Sequence, residues 1–147
     1  MFRGALLAVS AAAILLMSGC ASVPMASASQ DAELKSFAPP PEGTAGVYIY
    51  RNSFVGQALK KNLYLNGEFL GESANKTYFY RQVEPGEHTV STESEFSDNA
   101  FKFVAEAGLN YFIRQYIKMG VFVGGANLEM VSEEEGKKGV LSSGLAQ

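Results

Sequence analysis

The chain of 147 residues holds one cysteine, Cys20, and one histidine, His88. That pair limits the available chemistry. A single Cys forms no internal disulfide, and one Cys with one His falls short of the three or four N and S ligands of a zinc site. His88 acting as a general base needs a partner within hydrogen-bond reach. Its neighbouring acids, Glu84 and Glu87, flank Pro85-Gly86, and closing that turn by hydrogen bonding is the stronger reading. Glu93, Glu95 and Asp98, with Glu106 further on, could offer oxygen ligands to a hard cation. Their spacing is not that of an EF-hand loop, and Glu93 and Glu95 at alternate positions read as the solvated face of a strand. Arg51, Arg81 and Arg114 could each grip a carboxylate or phosphate; pairing with Glu93 or Glu95 across strands is the stronger expectation. There is no Gly-rich phosphate loop, no Gly-x-Ser-x-Gly elbow and no supported Ser/His/Asp spacing. The expectation is no catalytic residue, no metal and no cofactor. A net charge of −3 gives no reason to propose a nucleic-acid partner.

The cysteine gains meaning from its surroundings. Arg3 is the only charge in the first nineteen residues, Leu6 to Met17 is an apolar run, and small residues follow. This is the three-part pattern of a secretory signal, too short for a span of about 20 apolar residues. Its end, Leu16-Met17-Ser18-Gly19-Cys20, resembles the lipobox of bacterial lipoproteins, with Met17 where Leu is commonest. The resemblance implies a thioether between the Cys20 sulfur and diacylglycerol, cleavage between Gly19 and Cys20, and acylation of the new N-terminus. Residues 1–19 are then a signal peptide, and the membrane partner is reached through the lipid on Cys20. Ala21, rather than Asp, after the Cys favours the periplasmic face of the outer membrane over the inner membrane. In a bacterial chain the sequon Asn75-Lys76-Thr77 is a chance match.

The rest of the chain must be built around these groups. Residues 20–43 carry Ala, Ser and Pro and end in Pro39-Pro40-Pro41, so they read as a flexible tether with a stiff end. Asp31 to Phe37 could form a short helical turn. From residue 44 to 147 the pattern is that of one domain of short strands. Strands are expected at 46–50, 62–65, 68–71, 77–83, 88–93, 101–105, 110–119 and 126–131. Asn66-Gly67 is a strong hairpin signal, since both residues tolerate positive φ. Ser132 can cap a helix with Glu135 three residues on, while Gly136 and Gly139 weaken it. Seven or eight strands with turns between them, and no βαβ spacing, indicate an all-β antiparallel sandwich.

Two apolar features could serve a partner. Tyr48 with Tyr50, and Tyr78 with Tyr80, sit at alternate positions and share a sheet face. Exposed, that face would suit a partner or a sugar; covered, it is a second core or an aromatic ladder, which is the favoured alternative. Val121-Phe122-Val123, between glycines, could touch a partner or the membrane as an exposed tip, against the blander reading of a buried hairpin.

The runs Leu63-Tyr64-Leu65-Asn66-Gly67-Glu68-Phe69-Leu70-Gly71 and Val83-Glu84-Pro85-Gly86-Glu87-His88-Thr89-Val90 resemble PEGA-type, transthyretin-like sandwiches of bacterial surface proteins. The body from about residue 40 to 140 is more closely similar to a bacterial lipoprotein family built on domain of unknown function 2846. The residues that carry this are Gly46-Val47-Tyr48-Ile49-Tyr50-Arg51, Tyr111-Phe112-Ile113-Arg114 and Gly124-Gly125-Ala126-Asn127-Leu128-Glu129. The resemblance implies the sandwich and an envelope location and transfers no catalytic residue. The functional expectation is a non-catalytic, lipid-anchored envelope module with a protein partner; the alternative is a binder of a sugar or lipid on the tyrosine face.

Overall fold

A computed structural model describes residues 21–94, 97–120 and 124–147. Within them lie helix α1 (Ala28–Leu34), strands β1 (Ala45–Arg51), β2 (Lys61–Leu65), β3 (Glu68–Ser73), β4 (Thr77–Val83), β5 (Gly86–Thr92), β6 (Asn99–Ala105), β7 (Asn110–Met119) and β8 (Gly124–Met130), helix α2 (Glu133–Leu141) and the short β9 (Gly144–Leu145). One sheet has the order β8-β7-β1-β4-β9 and the other β3-β2-β5-β6. The two face each other as a β-sandwich, as the alternating pattern indicates.

The pairing is not wholly antiparallel. β1 runs parallel to β7, with Val47 opposite Tyr111 and Ile49 opposite Ile113, and β4 runs parallel to β9. The reason lies in β1, whose seven residues are all buried. A strand in the middle of a sheet with both faces covered has no need of polar alternation. Val47 and Ile49 face the inter-sheet core with Phe79, Val90 and Ile113. Tyr48 and Tyr50 face the other way, into a second core with Tyr78, Phe112 and Val140.

That second core is the favoured, covered reading of the tyrosine face, and it corrects the exposed alternative with Tyr48, Tyr50, Tyr78 and Tyr80 as a partner surface. Tyr48, Tyr50 and Tyr78 are at most 2% exposed, and Tyr80 is half-buried. The two helices form a third layer over them. Phe37 closes on the Tyr48 ring at 5.5 Å, and Phe112 stacks on it at 5.1 Å. α2 lies directly on the rings: a Cβ on Gly136 would meet Phe112 at 2.2 Å, and one on Gly139 would meet Tyr50 at 2.1 Å. These glycines, which weaken a helix by propensity, are what lets this one seat.

The expected tether is also corrected. The Ala21 N–H donates to the Gln57 carbonyl at 3.1 Å, Gln147 N–H to Pro24 at 3.0 Å and Ala26 N–H to Leu145 at 2.9 Å. Met25 bridges Ala146 in antiparallel fashion, and Val23 packs against the inter-sheet core. α1 is closed by a capping box between Ser27 and Gln30 and pinned by Asp31 and Leu34, which bond Tyr78 and Tyr48. The buried hydroxyls of the tyrosines, invisible to composition, hold down a segment rich in Ala, Ser and Pro.

Candidate functional site

The sandwich has two ends. One gathers the β4–β5 turn, the β2–β3 hairpin and the start of β7. There the Asn66-Gly67 turn has φ of 52° and 81°, and it stands beside His88 on β5. Asn66 Oδ1 accepts from Thr89 N–H at 2.9 Å, so its Nδ2 is the atom that faces His88 Nδ1 at 2.8 Å. Nδ1 therefore accepts, and the ring proton sits on Nε2, which donates to the Glu84 carbonyl at 2.6 Å. Both ring nitrogens of His88 are engaged in closing the turn.

Around this pair opens a cleft of about 380 Å³ between the hairpin and the end of β4. Arg81 and Glu84 rim it, and Leu65, Leu70 and Val83 form its apolar floor. Arg81 is exposed and donates from Nη1 to the Tyr80 carbonyl at 2.7 Å. A guanidinium, carboxylates and side-chain amides above an apolar floor can recognise a polar chain. They hold no nucleophile paired with a base. Among the described residues no group of three or more His, Cys, Asp or Glu could hold a metal ion.

A second polar group lies buried at the opposite end. Arg51, fully buried, donates from Nη1 to the carbonyls of Leu59 at 2.8 Å and Ser73 at 3.2 Å, and from Nη2 to that of Gly56 at 2.6 Å. Burial pulls its guanidinium down to about 10. Ser73 Oγ donates to Gln115, whose Nε2 donates to Thr92 Oγ1 at 2.7 Å, and Thr92 donates to the Asn62 carbonyl at 2.8 Å. This chain of bonds ties the two sheets together and fixes the loop between β1 and β2.

Among the described residues the arginines depart from the expected pairing with Glu93. Arg114 pairs with Glu129 of the neighbouring strand at 2.9 Å. Glu93 turns inward to accept from Asn62 N–H at 2.9 Å. Arg51 bonds carbonyls through Nη1 and Nη2, while its buried Nε has no partner among the described residues. Gly19, Cys20, Glu95 and Val121-Phe122-Val123 lie outside the described residues. Phe54-Val55 escaped the sequence reading. Two adjacent apolar residues between Asn52-Ser53 and Gly56, in a stretch without strand pattern, were the available signal.

A family model described as "Protein of unknown function (DUF2846)" matches residues 41–126. A protein of Haemophilus influenzae (strain Rd), described as "Uncharacterized protein", is 56% identical over 132 residues, covering 90% of this chain and 79% of its own length. No solved structure matches.

Proposed function

The chain belongs to the DUF2846 family, and from that premise we propose that it is a lipid-anchored, non-catalytic envelope module that presents its sandwich to a protein partner on the periplasmic side of the membrane. The observation that carries this reading is the position of the only cysteine, directly after Leu16-Met17-Ser18-Gly19. Ala21 in the next position favours the outer membrane. The engaged ring of His88 supports a non-catalytic role, and the rimmed cleft beside it offers a polar partner a seat.

The test is metabolic labelling with an alkyne fatty acid in the native host. The wild-type chain should carry label and fractionate with membranes. Cys20→Ser should lose the label and remain uncut or soluble. Label kept by the variant, or missing from the wild type, would remove the anchor. Crosslinking in intact cells from Gln82, beside the cleft, should then recover one specific envelope protein; recovery of none would count against the partner role.

A further inference from the structure

The lipid on Cys20 is the starting point here, so this inference rests on the reading above. Cys20 is one residue from Ala21, and consecutive Cα atoms are about 3.8 Å apart. Ala21 is hydrogen-bonded to Gln57, in the loop joining β1 to β2. An acyl chain on Cys20 therefore leaves the molecule beside that loop, with no spacer between lipid and body.

The same end carries exposed apolar side chains. Phe54 is 78% exposed, and Val55 beside it is 48% exposed. The Gln57 N–H closes the turn on the Phe54 carbonyl at 3.2 Å, so Phe54 stands within one turn of the attachment point. Met119, 80% exposed, ends β7 on the same side as Ile117. The loop reaches it through contacts: a Cβ on Gly56 would meet Ile117, and one on Gly124, the partner of Met119, would meet Leu59. Three exposed lysines belong to this end: Lys60 in the loop, Lys76 in the turn bonded to the Arg51 carbonyl, and Lys118 beside Met119; the exposed Asp98 lies there too, between Ser97 and Asn99. The loop is not slack, because the buried Arg51 holds the Gly56 and Leu59 carbonyls.

We propose that this end of the sandwich is a membrane-docking surface, with Phe54, Val55 and Met119 seated among lipid acyl chains and the three lysines at the phosphate level. Apolar tips with three lysines against one exposed aspartate beside them match an interfacial seat, in which buried apolar area and attraction to anionic lipid add. The anchor alone sets distance. The apolar tips also set orientation, so that the His88 cleft points away from the bilayer.

The chain contains no Trp, so Phe54→Trp and Val104→Trp each introduce a single indole. Val104 is 65% exposed on β6, at the cleft end, and serves as the distal control. The full acylated chain is reconstituted in vesicles of phosphatidylethanolamine and phosphatidylglycerol, with or without brominated acyl chains. Phe54→Trp should emit blue-shifted and be quenched several-fold by bromolipid; Val104→Trp should emit as in water and be unaffected. Acylated chain with an unquenched indole at position 54 overturns docking and leaves the anchor standing. Equal quenching at both positions overturns the orientation. A blue shift without bromolipid quenching assigns the surface to a protein or a second copy and overturns the lipid. Absence of acylation fails the anchor first, and docking with it.

Discussion

Arg51 is a buried cation whose partners are the carbonyls of Gly56, Leu59 and Ser73. Hydrogen bonds to a charged group are worth roughly 1.5–3 kcal/mol each, and carbonyls stripped of their donor are left buried and dry. Arg51→Met keeps the bulk and removes the fork. It should lower stability by about 3 kcal/mol, read from the urea midpoint at constant slope. Arg51→Lys keeps the charge without the planar fork and should recover only part of that loss. Asp31 works differently. Burial alone would raise its carboxyl; the bonds from Lys35 and Tyr78, with the charge of Lys35, outweigh this and hold it below the ordinary 3.8. A carboxyl lowered in the folded state contributes stability that is present above its unfolded value and lost as pH falls through its folded one. Thermal melts should therefore show α1-dependent loss below about pH 4. Asp31→Asn should flatten that acid limb and cost roughly 1–2 kcal/mol at neutral pH; an unchanged limb would place the titration elsewhere.

α2 poses a conflict between propensity and packing. Replacing a helical Gly by Ala ordinarily gains up to about 1 kcal/mol. At Gly139 the added methyl would overlap the Tyr50 ring, and at Gly136 the Phe112 ring. Gly139→Ala should thus destabilise by about 1–3 kcal/mol as an overpacking change, measured by Tm; a rise in Tm would mean the helix does not sit on the ring. The same conflict marks what the sequence could reveal. Strands β1 to β8 were legible because Val, Ile, Tyr and Phe alternate between turn residues such as Asn66-Gly67. The β1–β7 pairing was not, because Gly46 to Tyr50 is apolar at every step and carries no mark of its neighbour's direction. That the tyrosines are covered was the favoured reading, but what covers them was hidden. It is α1 and α2, one lying in the stretch read as tether and the other discounted for its glycines. Of the candidate site, His88 as a turn-closing residue was legible from Pro85-Gly86. The loop at Phe54 was not, since an exposed apolar pair means little until the position of Ala21 is known.

At the scale of the molecule, the two ends of the sandwich differ in kind: one holds Ala21, Phe54 and the lysines, the other the His88 cleft. The N-terminal arm is held to the C-terminal edge of the sandwich through bonds from Gln147 to Pro24 and from Ala26 to Leu145. Removing residues 144–147 should leave both main sheets folded, because β9 adds only two residues at an edge. It should free the arm, so that limited proteolysis cuts within residues 21–27 at least tenfold faster than in the full chain, with little change in far-ultraviolet circular dichroism. Equal cutting rates would show that α1 alone secures the arm.

The Met25–Ala146 bridge also has a meaning in time. Its two halves are separated by more than a hundred positions, so during synthesis the first waits for the second. Long-range closures of this kind come late, since their loop entropy is met before their contacts form. While the bridge is open, residues 21–25 have no partner strand at the C-terminal end; its closure seats them on the body. The bridge therefore places the docking of the arm among the last events of folding, after the two sheets have formed.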